Sequence, residues 1–303
     1  MTLSREERIA AEVGAEPVGR LSRVPPTGLV LVAIASVQLG AAIAKSLFDD
    51  VGPSGAVFLR VAFAAALLWA IWRPRPGAHS GRELRLAAIF GLSLAAMNLS
   101  FYEAFDRIPL GVAVTLEFVG PLGVAVAGSR RALDLVWVVL AAGGVILLAA
   151  PWSGSVDGAG VAFALLAGLA WAAYIVINKR VGRAFAGGAG LALAMAFGTV
   201  LLVPVGVAGA GTDLLGPGVL ATGAAVAVLS SAIPYSLELE ALRSLPPRVF
   251  GVLMSLEPAV AVLAGLAVLG QVLALREVAG IALVIVASAA ASRAADVSEA
   301  GAV

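Results

Sequence analysis

The chain has 303 residues, of which 61% are hydrophobic and only 13% charged, with a formal net charge of +1 and a mean hydropathy of +1.02. Soluble domains are about 45–50% apolar and about 25% charged, so this composition excludes a water-soluble monomer and indicates a multi-span membrane protein. The balanced charge gives no nucleic-acid signature, and a chain with no cysteine and only His79 excludes disulfides, thiolate sites and histidine clusters; we expect no metal and no cofactor.

Apolar stretches between polar breaks predict ten membrane-spanning helices, because about 20 residues rising 1.5 Å each cross the hydrocarbon core. They cover residues 27–48, 54–72, 84–104, 108–128, 132–150, 158–178, 188–209, 217–240, 248–269 and 275–292. Residues 1–26 predict a polar cytoplasmic tail without a cleaved signal sequence, and residues 293–303 predict a second cytoplasmic tail. The loops are too short for another folded domain, so the predicted fold class is an all-α integral membrane protein.

The basic residues fall mainly on one side of this predicted membrane. One side carries sixteen of the 20 Lys and Arg: Arg5, Arg8, Arg20, Arg23, Arg73, Arg75, Arg82, Arg85, Arg130, Arg131, Lys179, Arg180, Arg183, Arg243, Arg248 and Arg293. The other side has Arg107 and Arg276, while Lys45 and Arg60 lie within spans. By the positive-inside rule, both termini are predicted to be cytoplasmic.

Two similar segments indicate an internal duplication. Gly111–Glu117 reads GVAVTLE and Gly251–Glu257 reads GVLMSLE, identical at four of seven positions. A repeat of five spans is odd, so the second copy must enter the membrane inverted, as in many secondary transporters. We therefore predict one five-helix repeat over 27–150 and a second over 151–292. Chance similarity between apolar stretches is the alternative, but apolar composition does not generate the shared Glu.

Two carboxyl groups are predicted near the middle of the membrane. Glu117 and Glu257 each lie about nine residues, or about 14 Å, into a span. An intramembrane carboxylate costs at least a few kcal/mol unless it is protonated, paired or hydrated, so its presence predicts a functional site that binds substrate or protons. The alternative is a carboxyl that only joins two helices by hydrogen bonding. Pro121 and Pro258 follow the two acids and are predicted helix breaks, as is Pro234, because proline leaves a backbone carbonyl without its donor.

Other polar residues within the spans are candidates for the same site. Arg60, about nine Å deep, is expected either to extend toward the surface or to bind a substrate carboxylate. Gln38 and Asn98 are expected to bind substrate or simply to bridge helices. The three tyrosines Tyr102, Tyr174 and Tyr235 are expected to line a pore or to anchor their helices at the interface.

Charged residues near the span ends are predicted secondary gates. Glu103, Glu238 and Glu240 lie within about two turns of a membrane surface, and Lys45 lies near the outer end of the first span. The alternative is that the acids are solvated or paired helix ends and that Lys45 extends toward the surface. The tryptophans predict an aromatic belt at the interfaces: Trp69, Trp72, Trp137, Trp152 and Trp171.

Four stretches resemble the threonine/homoserine exporter branch of the EamA-type drug/metabolite transporters. They are SVQLGAAIAKSLF (36–48), RIPLGVAVTLEFVGPL (107–122), WAAYIVINKR (171–180) and the long run IPYSLELEALRSLPPRVFGVLMSLEPAVAVLAG (233–265). The resemblance implies two inverted five-helix repeats in the bacterial plasma membrane, and export of small amino acids such as threonine and homoserine by proton exchange. The chain differs from related carriers at Gln271, where they often have Glu, and at Glu240, where an apolar residue is expected.

Residues and resemblance together predict a secondary transporter, not an enzyme, that exports small amino acids by proton antiport with alternating access. Its expected partners are the small-molecule substrate, protons and the lipid bilayer, with no nucleic acid; the oligomeric state is left open. One alternative is an exporter of drugs or other metabolites. An intramembrane enzyme acting on lipid headgroups is a second, but the sequence has no nucleophile motif and no His/Cys cluster. A nonselective channel is a third, disfavoured by helix breaks in repeated positions.

Overall fold

The structure is a computed structural model that describes residues 25–127, 134–149, 157–242, 245 and 247–300. Within these ranges the chain consists of helices and contains no β-strand, as the predicted fold class requires. Residues 1–24 of the predicted N-terminal tail lie outside the described residues, as do the predicted cytoplasmic residues Arg130, Arg131 and Arg243.

The first half of the chain forms helices α1 to α6. They span Pro26–Ala44 (α1), Phe48–Trp72 (α2), Gly81–Arg107 (α3), Leu110–Glu117 (α4), Val119–Ala127 (α5) and Asp134–Ala149 (α6). A short 3₁₀ turn, Lys45–Leu47, connects α1 to α2. Early in α2, Gly52 has φ 65° and ψ 171°, a backbone conformation open to glycine and strained for other residues. This interruption coincides with the predicted break between residues 48 and 54.

The second half forms helices α7 to α13. They span Gly158–Ala184 (α7), Ala189–Ala210 (α8), Pro217–Ala227 (α9), Ile233–Leu242 (α10), Pro247–Met254 (α11), Glu257–Leu269 (α12) and Leu275–Ala300 (α13). A π-helical segment, Val228–Ala232, joins α9 to α10. The stretches 108–128, 217–240 and 248–269, each predicted as one helix, are therefore interrupted. Helix α13 continues to Ala300, where a tail had been predicted from residue 293.

Six helical stretches of the described residues are long and apolar enough to cross a membrane. They are Pro26–Trp72, Gly81–Arg107, Gly158–Ala184, Ala189–Leu215, Pro217–Glu238 and Val249–Leu269, and two shorter apolar stretches are Leu110–Val124 and Val136–Leu148. Large apolar side chains point outward from four of these, with Val139, Leu169, Val200 and Leu263 between 63% and 69% exposed. Such a surface is suited to lipid. The count of ten spans stays a prediction.

Side-chain caps fix where two of the long helices begin. The Ser80 hydroxyl accepts a hydrogen bond from the Glu83 N–H, and a Glu83 carboxylate oxygen accepts one from the Ser80 N–H at 2.7 Å. This capping box satisfies backbone donors at the start of α3. At the start of α7, an Asp157 carboxylate oxygen accepts from the N–H groups of Ala159 and Gly160.

The helices pack in pairs that involve both halves of the chain. Helix α1 contacts α10 and α12, and α7 contacts α3 and α4, while α2 packs on α8 and α6 on α13. At the α6–α13 contact, a Cβ atom placed on Gly144 would lie 2.7 Å from the Gly280 carbonyl oxygen, and one on Gly280 would lie 2.9 Å from that of Gly144. Only glycine therefore permits this approach of the two backbones. The resulting bundle encloses a central cavity.

Candidate functional site

The central cavity has a volume of about 490 Å³ and is lined by helices of both halves of the chain. All six residues predicted to bind substrate or protons line it: Gln38, Arg60, Asn98, Glu117, Tyr235 and Glu257. They come from α1, α2, α3, α4, α10 and α12. The two acids, separated by more than a hundred residues in sequence, thus share one chamber.

The two acids lie next to helix interruptions. Helix α4 ends at Glu117, and α12 begins at Glu257, with two residues between it and the end of α11. Because Pro121 and Pro258 have no N–H, the carbonyl groups four residues before them, those of Glu117 and Met254, lack their usual helical donors. Pro121 also lines the cavity. The predicted breaks therefore leave a backbone carbonyl group without its usual helical donor near each of the two carboxyl groups.

Gln38 holds one of the two acids in place. Its side-chain Nε2 donates a hydrogen bond of 3.1 Å to Glu257 Oε1, which joins α1 to α12. The bridging role considered for Gln38 is therefore present, although its partner is a candidate functional carboxyl. Both residues are buried, and the remaining oxygens, Gln38 Oε1 and Glu257 Oε2, have no hydrogen-bond partner among the described residues. A buried acceptor without a donor is unfavourable.

Arg60 faces the cavity and does not extend toward the surface. Its Nη2 donates to the carbonyl oxygen of Ser230 at 3.3 Å, within the π-helical segment. Pro234, four residues later, has no N–H, so it cannot donate an α-helical hydrogen bond to that carbonyl. The Arg60 Cζ also lies 5.6 Å from the ring centroid of Tyr102, within cation–π range. Glu117 is near enough to Arg60 for a direct electrostatic interaction.

Three further predicted residues differ in their relation to the cavity. The Asn98 Nδ2 donates to the Leu94 carbonyl oxygen of its own helix at 2.8 Å, so this amide does not bridge two helices through that bond. Glu238, predicted as a secondary gate, lines the cavity one turn beyond Tyr235 and lies in electrostatic range of Glu257. Glu240 is half-buried and is not among the residues that line the cavity.

Helix α7 contributes to the cavity wall, where sequence analysis had considered only Tyr174 as a pore-lining residue. Trp171, Tyr174 and Asn178 all line it. Trp171, predicted as part of an interfacial belt, packs edge-to-face on Phe118 with ring centroids 5.3 Å apart. That prediction was wrong because aromatic side chains suit an interface and a cavity wall equally well. The spacing of these α7 residues, three and four apart, places them on one helix face and is the signal that could have identified them.

Lys45 joins two helices at one end of the bundle. Its Nζ donates to Asp106 Oδ1 at 2.8 Å, to the Asp106 carbonyl oxygen at 3.1 Å and to the Phe105 carbonyl oxygen at 3.4 Å. These bonds tie the turn between α1 and α2 to the end of α3. Lys45 is thus paired with Asp106. One expectation had been that its side chain extends unpaired toward the membrane surface.

The other charged pair at this end stays within one helix. The Glu103 carboxylate accepts from Arg107 Nη1 at 2.7 Å, one turn further along α3. The paired helix end considered for Glu103 is therefore the arrangement found. Gln271 lies in the segment between α12 and α13, and its Oε1 accepts a hydrogen bond of 3.0 Å from the N–H of Leu110, the first residue of α4.

Comparison with known proteins identifies relatives along nearly the whole chain. Residues 158–293 match the EamA-like transporter family. A threonine/homoserine exporter, RhtA, of Salmonella typhimurium strain LT2 is 43% identical over 266 residues, covering 87% of this chain and 90% of that protein. The protein of the same name in Escherichia coli strain K12 is 43% identical over 276 residues, covering 89% and 93%.

A crystal structure of a more distant protein has the same fold. It superposes with a TM-score of 0.57 at 19% sequence identity, covering 90% of this chain and 99% of the other. That likeness concerns the fold alone, whereas the 43% identity to the two exporters extends over most of both chains. The chain therefore belongs to the EamA-like transporter family, a family of membrane transporters rather than enzymes.

Proposed function

We propose that this protein exports small zwitterionic amino acids of the threonine/homoserine type in exchange for protons. The observation that carries the proposal is the placement of Glu117, Glu257 and Arg60 around one cavity. A carboxylate suits the substrate ammonium group, and a guanidinium suits its carboxylate. The names of the two relatives support this substrate class. The cavity volume is in the range of small-molecule sites.

Proton coupling follows from the chemistry of buried carboxyl groups. A carboxyl in hydrocarbon is unfavourable when charged and unpaired, so it binds either a proton or a cationic group of the substrate. If each is released on the opposite side of the membrane, the proton gradient drives export.

We further propose that the chain has ten spans in two inverted repeats, 27–150 and 151–292. The packing pairs support this. Exchanging the halves relates the contacts of α1 with α10, α11 and α12 to those of α7 with α3, α4 and α5, respectively. The same exchange maps the α2–α8 and α6–α13 contacts onto themselves. Inverted repeats of this kind are associated with alternating access around a central site.

The proposed orientation places the open end of the cavity toward the cytoplasm of a bacterium, with the chain in its inner membrane and both termini inside. Asn178 lines the cavity and is exposed, and it is followed directly by Lys179 and Arg180. Basic loops favour the cytoplasmic side. Lys45 and Asp106 would then close the outer end, and Glu238 would lie between the central acids and the cytoplasm.

The experiment is efflux of labelled threonine from reconstituted vesicles under an imposed pH gradient. We expect wild-type efflux to depend on the gradient and the double variant Glu117→Gln/Glu257→Gln to lose it. Asp213→Asn is a matched control, because it removes an exposed carboxylate outside the cavity. Efflux by the double variant at the wild-type rate contradicts the proposed mechanism.

A drug or lipophilic metabolite is the second candidate substrate. The observation that favours it is the aromatic part of the cavity wall, which includes Phe101, Phe118, Trp171 and Phe250. Aromatic faces attract organic cations. Competition against threonine efflux with a panel of amino acids and lipophilic cations separates the two: inhibition by the cations alone supports the second candidate.

A further inference from the structure

We propose that the cavity contains two separate subsites: Arg60 and Glu117 bind the zwitterionic substrate, while Glu257, which is held by Gln38 and lines the cavity together with Glu238, carries the proton. This inference rests on the function proposed above and assigns different roles to the two acids.

The first subsite presents opposite charges. Glu117 lies near Arg60 and has no hydrogen-bond partner among the described residues. Its carboxylate is therefore available to a ligand. Arg60 uses Nη2 for the Ser230 carbonyl, and a guanidinium has five N–H donors, so others can bind a substrate carboxylate. A positive and a negative side chain in one cavity match the two ends of a zwitterion.

The second subsite has fewer hydrogen-bond donors than acceptors. Gln38 gives one hydrogen bond to Glu257 Oε1, but Gln38 Oε1 and Glu257 Oε2 are both buried acceptors without a donor among the described residues. Protonation of Glu257 supplies one hydrogen to a site with two unsatisfied oxygens and removes a buried charge. The Glu117 oxygens also lack a donor among the described residues, but they are not among the fully buried atoms, so they remain accessible from the cavity.

The surroundings of Glu257 favour proton binding over cation binding by charge as well. The charged or titratable groups that line the cavity with it are Glu117 (α4), Arg60 (α2), Tyr174 (α7), Tyr235 and Glu238 (α10). From α1 and α13, the described lining residues are uncharged. Glu238 lines the cavity with Glu257 and interacts with it electrostatically. Two carboxyl groups in one low-dielectric site cannot easily both ionise, so they tend to retain a proton.

Electrostatic repulsion connects the two subsites. Glu117 and Glu257 interact across the cavity. When Glu257 is charged, it strengthens the attraction of an ammonium group to Glu117, and when Glu257 is protonated that contribution is lost. Binding of the proton therefore weakens binding of the substrate, and the reverse, although the two do not compete for the same oxygen atom. Antiport requires this negative coupling between the two ligands.

The test compares purified Glu117→Gln, Glu257→Gln and Gln38→Met with wild type. Equilibrium binding of labelled threonine is measured from about pH 4 to about pH 9, a range that begins near the ordinary pKa of a glutamate carboxyl. Threonine–threonine counterflow is measured in vesicles without a gradient. We expect Glu117→Gln to weaken binding by at least about tenfold at every pH and to lose counterflow. We expect Glu257→Gln to bind within about threefold of wild type, with no pH dependence, and to lose only gradient-driven efflux.

Gln38→Met keeps the side-chain volume but removes the donor to Glu257. We expect counterflow to persist and the pH midpoint of binding to move upward, because the charged carboxylate loses its hydrogen bond. The exchanged pair Gln38→Glu/Glu257→Gln restores a carboxyl–amide bond and is expected to restore pH dependence. A residue that only packs would give an unchanged midpoint in Gln38→Met.

The outcomes separate the two proposals. Equal loss of binding in Glu117→Gln and Glu257→Gln overturns the division into subsites but leaves amino-acid export intact. An unchanged midpoint in Gln38→Met overturns it even if Glu257→Gln does not fold. Wild-type protein that neither binds nor transports threonine overturns both the proposed function and the subsites.

Discussion

Replacing Lys45 with methionine should shift the protein toward a state open at the Lys45 end. Lys45 is the cation that ties the turn after α1 to the end of α3. Methionine keeps much of the apolar stem that packs near Phe48 and Phe105, whose ring centroids lie 4.6 and 5.4 Å from Nζ. The substitution therefore removes the charge and its hydrogen bonds with little loss of packing.

The expected size follows from the exposure of the pair. The Lys45 and Asp106 side chains are 29% and 38% exposed, so the ion pair contributes at most about 1 kcal/mol. The two bonds to backbone carbonyls add roughly 0.5–1 kcal/mol at their lengths. A loss of about 1–2 kcal/mol from the closed state raises the population open at this end by about 5- to 30-fold.

Cysteine labelling measures that population directly, because the chain contains no cysteine. Ala41 lines the cavity one helical turn from Lys45, so Ala41→Cys provides a single reactive site. A membrane-impermeant maleimide added to intact cells should label it about 5- to 30-fold faster when Lys45 is methionine. The matched control is Glu103→Gln, which breaks an ion pair of similar length that stays within α3.

Labelling of the Lys45→Met variant within twofold of its parent would refute the reasoning. Equal acceleration by Glu103→Gln would also refute it, since that pair joins no second helix.

Three smaller predictions concern the scaffold and the cavity. Gly280→Ala should lower the free energy of unfolding by about 1–3 kcal/mol, because its Cβ would lie 2.9 Å from backbone and side-chain atoms of α6. The control, Gly143→Ala, should leave the free energy of unfolding unchanged, because the nearest atom to its Cβ would be 4.0 Å away. Thermal unfolding in detergent compares the two variants. Ser80→Ala should cost about 0.5–2 kcal/mol in the same assay by removing the cap of α3, and an unchanged melting curve would contradict this. Pro234→Ala returns an N–H to the carbonyl that Arg60 now binds; we expect weaker threonine binding with unchanged stability, and unaltered affinity would argue against a role for that break.

The fixed rise of a helix per residue predicts that Glu117 and Glu257 lie near the middle of the membrane. The structure shows that both acids line one cavity. The prolines beside them indicated interruptions by removing donors, and the structure has interruptions there. These predictions depend only on local sequence.

Contacts between distant helices could not be predicted in the same way. Gln38 meets Glu257 and Lys45 meets Asp106 only after the bundle has formed, at separations of 219 and 61 residues. Each polar residue had two or more plausible partners before the helices were assembled. For Trp171, the side chain itself was ambiguous, because an indole is equally favourable at a bilayer interface and against another ring.

The interruptions at Phe118 and at Ser255–Leu256 have a mechanical consequence. Bending an intact helix by a large angle stretches main-chain bonds on one side, but here proline has already eliminated the bond that would resist. The segments above and below each joint can tilt separately at small energetic cost. Because a glutamate lies at each interruption, a change in its charge acts at the position where the helix bends most easily.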